Sequence, residues 1–84
     1  MKTEDLLAMA AKAERVQYRY LFRLADGEIV EVRHETRAGD VEECARKLAR
    51  LVGKRERSSE VVCVWKGPAG ERVPIEIRRE MRSV

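Results

Sequence analysis

The chain has 84 residues, 39% of them charged, and a net charge of +3 from 18 Lys or Arg against 15 Asp or Glu. That length fits one domain spanning residues 1–84 with a single modest core and excludes a second one. The small basic excess falls short of a polycationic tail, and no apolar run approaches the roughly 20 residues that cross a bilayer, so no membrane partner is expected.

The start, Met1 to Asp5, brings in acids at once and does not read as a secretory signal, which predicts a soluble cytoplasmic protein. Thr3 is placed to cap a helix over residues 4–15, with Glu4 and Asp5 near the positive end of its dipole. Leu6, Ala10, Ala13 and Val16 form its apolar stripe, widened by Leu7, Met9 and Ala11. Because most of these are alanines, the helix needs either the sheet or a second copy of the chain to pack against. Leu6, Leu7 and Ala10 are therefore candidates for self-association.

A hairpin is expected over residues 17–34. Its first strand sets Tyr18, Tyr20, Phe22 and Leu24 on one side against Arg19, Leu21 and Arg23 on the other. Asp26 and Gly27 suit a two-residue type I′ turn. The return strand, residues 28–34, places Val30, Val32 and His34 in one phase and Ile29, Glu31 and Arg33 in the other.

Asp40 followed by Glu43 is a capping-box pattern that opens a second helix over residues 41–52, with Gly53 placed to end it. Val41, Cys44, Ala45, Leu48, Leu51 and Val52 share one face, while Glu42 with Arg46 and Glu43 with Lys47 form favourable i,i+4 pairs. Residues 54–59 contain no apolar side chain and read as an exposed loop. A second hairpin is expected over residues 60–79. In its first strand Val61, Cys63 and Trp65 compete with Val62 and Val64 for the buried side, and the large indole favours the former. Residues 67–70 form the turn, and the last strand sets Val73, Ile75 and Ile77 opposite Pro74, which favours an edge or a bulge.

The expected fold is α+β in the order αββαββ, a two-layer sandwich with a mostly antiparallel four-stranded sheet and both helices on one face. A dimer in which each hairpin pairs with a different copy competes with it.

Two surfaces stand out. Arg46, Lys47, Arg50, Lys54, Arg55 and Arg57 form the most basic segment, suited to a phosphate backbone or an acidic protein surface. Arg19, Leu21, Arg23 and Arg33 would lie on the sheet face turned away from the helices, where Glu31 and Glu76 interrupt the positive field and no aromatic offers a stacking platform. Cys44 and Cys63, with His34 as the one histidine, are too few for a structural zinc site and read as reduced thiols. His34 lacks a positioned partner, Ser58 and Ser59 lack a base, and residues 67–70 lack the ending of a phosphate-binding loop. No catalytic residue, metal or cofactor is expected, and a domain this small leaves little room for a small-molecule pocket. The pattern points to a non-enzymatic protein-interaction or regulatory accessory module, compatible with a homodimer. The alternative is a DNA- or RNA-binding protein that uses the basic second helix and the loop after it.

Overall fold

A computed structural model of the chain describes residues 14–81. Its elements are β1 (Arg15–Leu24), β2 (Ile29–Arg37), a single 3-10 turn over Ala38–Asp40, α1 (Val41–Glu56), β3 (Val61–Pro68) and α2 (Ile75–Glu80). The class is α+β, with a three-stranded antiparallel sheet in the order β2-β1-β3 and two helices. Arg15 belongs to β1 and not to the helix expected over residues 4–15. Glu14 forms a bend, and residues 4–13 of that expected helix, with Leu6, Leu7 and Ala10, lie outside the described residues.

The first hairpin forms where expected, but around a three-residue loop, Ala25 to Gly27. Gly27 N–H donates to the Leu24 carbonyl at 3.0 Å and Leu24 N–H to the Glu28 carbonyl at 2.8 Å, while Gly27 takes φ +89. Only Gly27 enters the left-handed region, which glycine occupies without a Cβ clash. The extra loop residue decides the register. A two-residue turn at Asp26 and Gly27 would set Tyr20 opposite Arg33, whereas the observed ladder sets Tyr20 opposite Val32 and Phe22 opposite Val30. Apolar side chains of both strands thereby share one face, the outcome that burial enforces, because a one-residue slip exchanges the faces. β2 also runs to Arg37, beyond the expected end at residue 34.

α1 packs on that face. Ala45, Leu48 and Val52 meet Tyr20, Phe22 and Leu24, with Val61 and Cys63 of β3 at the margin. The Tyr20 and Phe22 rings stack with centroids 6.4 Å apart.

The opposite face departs most from the sequence expectation. Residues 71–79 do not form a fourth strand; α2 occupies Ile75–Glu80 instead and the sheet has three strands. Val73, Ile75 and Ile77 alternate as in a strand, yet Val73, Ile77 and Met81 are also spaced by four, and it is these three that pack against the sheet while Ile75 stays half exposed. Pro74 precedes the first turn in an extended conformation, and its carbonyl accepts from the N–H groups of Ile77 and Arg78. Glu76 in the first turn and Arg78 and Arg79 in the last complement the helix dipole.

This C-terminal segment covers Leu21, which is 0% exposed, together with Ile29 and Val73. Leu21 was expected on an open sheet face; it is the centre of a second apolar cluster. The sheet is therefore covered on both sides, with α1 on one and the segment containing α2 on the other.

β3 serves both clusters by way of a bulge. Leu21 pairs with Trp65 but Phe22 pairs with Cys63, leaving Val64 as the extra residue. Val61 and Cys63 consequently face α1, whereas Val64 and Trp65 face the second cluster. The competition between the two phases of this strand is resolved by giving each phase one end. Gly67 is buried against the Trp65 ring: a Cβ there would lie 2.8 Å from Trp65 Cζ2.

Candidate functional site

Helix α1 organises the basic segment. The helix does not stop at Gly53; it continues to Glu56 and ends with Arg57 in the left-handed conformation at φ 52. Ser58 N–H donates to the Gly53 carbonyl at 3.0 Å and Arg57 N–H to the Lys54 carbonyl, which caps the last carbonyls in a Schellman arrangement. At the other end Asp40 is the N-cap residue but makes no side-chain cap hydrogen bond, so the capping box expected with Glu43 is not formed.

The extra turn matters because it brings Lys54 into line with Arg46 and Arg50. Residues four apart lie on one face, so Arg46, Arg50 and Lys54 span about 12 Å along the helix, with Arg57 at its end. All four are exposed. The acids of α1 are occupied elsewhere: Glu43 pairs with Lys47 at 3.4 Å, Glu56 with Arg55 at 3.2 Å, and Glu42 reaches Lys66 of β3 at 3.2 Å in place of the expected Arg46. Among the described residues Arg46, Arg50, Lys54 and Arg57 form no ion pair, and together they make a stripe of four unneutralised cations. The helix dipole accounts for basic residues in the last turn, where Lys54 and Arg55 stand. It does not account for Arg46 and Arg50, which are mid-helix.

The sheet-face arginines behave differently. Arg19 is hydrogen-bonded to the Glu31 carboxylate and its guanidinium lies 6.0 Å from the centroid of the Trp65 ring. Arg23 pairs with Glu80 of α2, and Arg33 approaches Glu31 at 3.7 Å. With Leu21 buried beneath α2, the surface expected from Arg19, Leu21, Arg23 and Arg33 is a set of internal ion pairs around a covered leucine.

The structure also assembles a cluster that sequence reasoning missed. Thr36, in the stretch of β2 beyond residue 34, is 5% exposed and accepts a 2.8 Å hydrogen bond from the Tyr20 hydroxyl. The Cys44 thiol lies 3.6 Å from the Thr36 oxygen and 3.7 Å from His34 Nδ1. The available signal was phase: His34 and Thr36 continue the Val30 and Val32 side of β2, which faces Cys44 on α1. These groups border an open groove of about 480 Å³ that also includes Arg37, Asp40, Glu43 and Lys47. Among the described residues no carboxylate is hydrogen-bonded to the His34 ring, the support a catalytic imidazole ordinarily receives. Burial pushes the Tyr20 phenol up to about 12, with the Thr36 hydrogen bond working against it. Burial also raises the Cys63 thiol, which donates to the Trp65 carbonyl at 3.5 Å.

Among the described residues no group of three or more His, Cys, Asp or Glu is placed to hold a metal ion, and no helix is long and apolar enough to cross a membrane. Comparison with known proteins finds no matching family, curated relative or solved structure.

Proposed function

We propose that the protein is a non-enzymatic interaction module that binds the phosphate backbone of nucleic acid along α1. The observation that carries this reading is the stripe of Arg46, Arg50, Lys54 and Arg57, left without acidic partners among the described residues although the three acids on the same helix are each paired. Guanidinium groups match phosphate geometry, and cations on a rigid helix lose little freedom when they engage a regular backbone. α1 contains neither Asn nor Gln, the side chains that pair bidentately with adenine, so contact with backbone is favoured over base reading.

Fluorescence anisotropy with labelled nucleic acid at about 50 mM salt tests the proposal, with a dissociation constant on the order of 10⁻⁵ M expected for backbone binding. The variant Arg46→Gln/Arg50→Gln/Lys54→Gln abolishes it. Equal binding by that variant would remove α1 as the contact.

A second reading rests on β2. Its outer edge has no strand partner among the described residues, and an open edge can accept a strand from a protein partner or a second copy. Glu31, Arg33, Glu35 and Arg37 along it are the charged side chains that restrict indiscriminate pairing. A solution mass of twice the chain mass supports this reading, and a monomer at all concentrations counts against self-pairing.

A further inference from the structure

Resting on that reading, we infer that the backbone held by α1 belongs to a duplex and not to a single strand. The chain has four aromatic residues in all, one Trp, two Tyr and one Phe. Two are fully buried and two are partly buried against the apolar clusters. Tyr20 and Phe22 are 0% exposed, Tyr18 packs against the same cluster, and Trp65 packs in the second cluster with its ring over Gly67 and the Arg19 guanidinium near it.

Proteins that hold single strands compensate for their lower charge density by stacking bases on exposed aromatic side chains, worth about 1–3 kcal/mol per base. None of the four aromatics of this chain is fully exposed on either face of the sheet. What α1 presents is a straight row of cations, and a row of charges favours the polyanion with the denser and more regular array. A duplex carries one charge per about 1.7 Å of axis.

The size of the preference follows from counterion release. For four contacts, the slope of log affinity against log salt is about −3.6 on a B-form duplex and about −2.8 on a single strand. If the two have similar affinities at 1 M salt, that difference of about 0.8 favours the duplex about tenfold at 50 mM.

The test compares anisotropy titrations of the full chain with a DNA duplex, an RNA duplex and each of their separated strands, all of the same length and at about 50 mM salt. Both duplexes are expected to bind about tenfold more tightly than their own strands. The two duplex arms distinguish B-form from A-form backbone as the source of the phosphates, and either order between them is consistent so long as each duplex exceeds its strands. Single strands that bind as tightly as the duplexes overturn the inference while leaving α1 as a phosphate contact. Absence of binding by all of them overturns the reading on which it rests.

Discussion

Replacing Leu21 with alanine tests whether the sheet is covered on both faces. Leu21 is 0% exposed at the centre of a cluster with Ile29 and Val73, bordered by Val64, Trp65, Ile77 and Met81. Truncating a buried leucine costs about 2–5 kcal/mol, the spread reflecting how far the surroundings relax into the cavity. One wall here is the central strand of the sheet, which resists movement. The other is a six-residue helix on a short connection, which can settle inward. The expected loss is therefore at the lower end, about 2–3 kcal/mol. Urea denaturation followed by Trp65 fluorescence reads it directly. With a slope of about 1 kcal/mol per molar urea for a chain this small, the midpoint falls by about 2–3 M. Leu51, which is 61% exposed, is the control, and Leu51→Ala is expected to stay within about 0.5 kcal/mol. A Leu21→Ala loss as small as that control would refute the covered second face and return Leu21 to an open sheet surface.

Three further outcomes are expected. Gly67→Ala places a Cβ 2.8 Å from Trp65 Cζ2 and 3.1 Å from Glu71 Oε2, so the ring is displaced, stability falls by about 1–3 kcal/mol and the Trp65 emission maximum shifts. Tyr20 contributes to an alkaline loss of stability: its phenol is raised from 10.0 to about 12 in the fold, so its contribution is complete below pH 10 and disappears as the pH rises to about 12, where the unfolded chain has already released the proton. Comparing pH-dependent urea midpoints with those of Tyr20→Phe isolates that step, on the order of 2–3 kcal/mol, and an unchanged profile in the variant would contradict it. Glu80→Gln breaks an exposed pair with Arg23 whose side chains are 49% and 42% accessible, so the change in stability is below about 1 kcal/mol in the same assay.

The α1 side of the core was legible because Tyr20, Phe22, Val30 and Val32 repeat with the sheet period while Ala45, Leu48 and Val52 repeat with the helix period. The second face was hidden by dilution. Leu21 and Ile29 each stand alone among charged neighbours in the polar phase, and only the ladder, which sets Arg23 opposite Ile29 and Leu21 opposite Trp65, shows that they converge. The C-terminal segment was ambiguous for a different reason. Three apolar residues spaced by two fit a strand as well as the set spaced by four fits a helix, and six residues are too few for periodicity to decide between them.

The basic segment was visible as composition, but its geometry was not. Gly53 is an effective helix terminator in sequence, yet the helix passes through it and stops at Arg57, a residue whose left-handed conformation no propensity announces. That additional turn converts three loop residues into the end of a helical stripe. The Cys44, His34 and Thr36 cluster was lost with the last residues of β2, since an end at residue 34 leaves Thr36 outside the sheet.

The salt dependence of duplex binding tests the role of α1 most directly. The stripe predicts a slope of about −3.6 in log affinity against log salt between about 50 and 200 mM, reduced by about 0.9 with each of Arg46→Gln, Arg50→Gln and Lys54→Gln. Arg57→Gln, at the end of the stripe, is expected to reduce the slope by the same amount, since the value of about −3.6 counts all four cations. A slope near zero, or one that these substitutions leave unaltered, would contradict the assignment of α1 as the phosphate-binding surface.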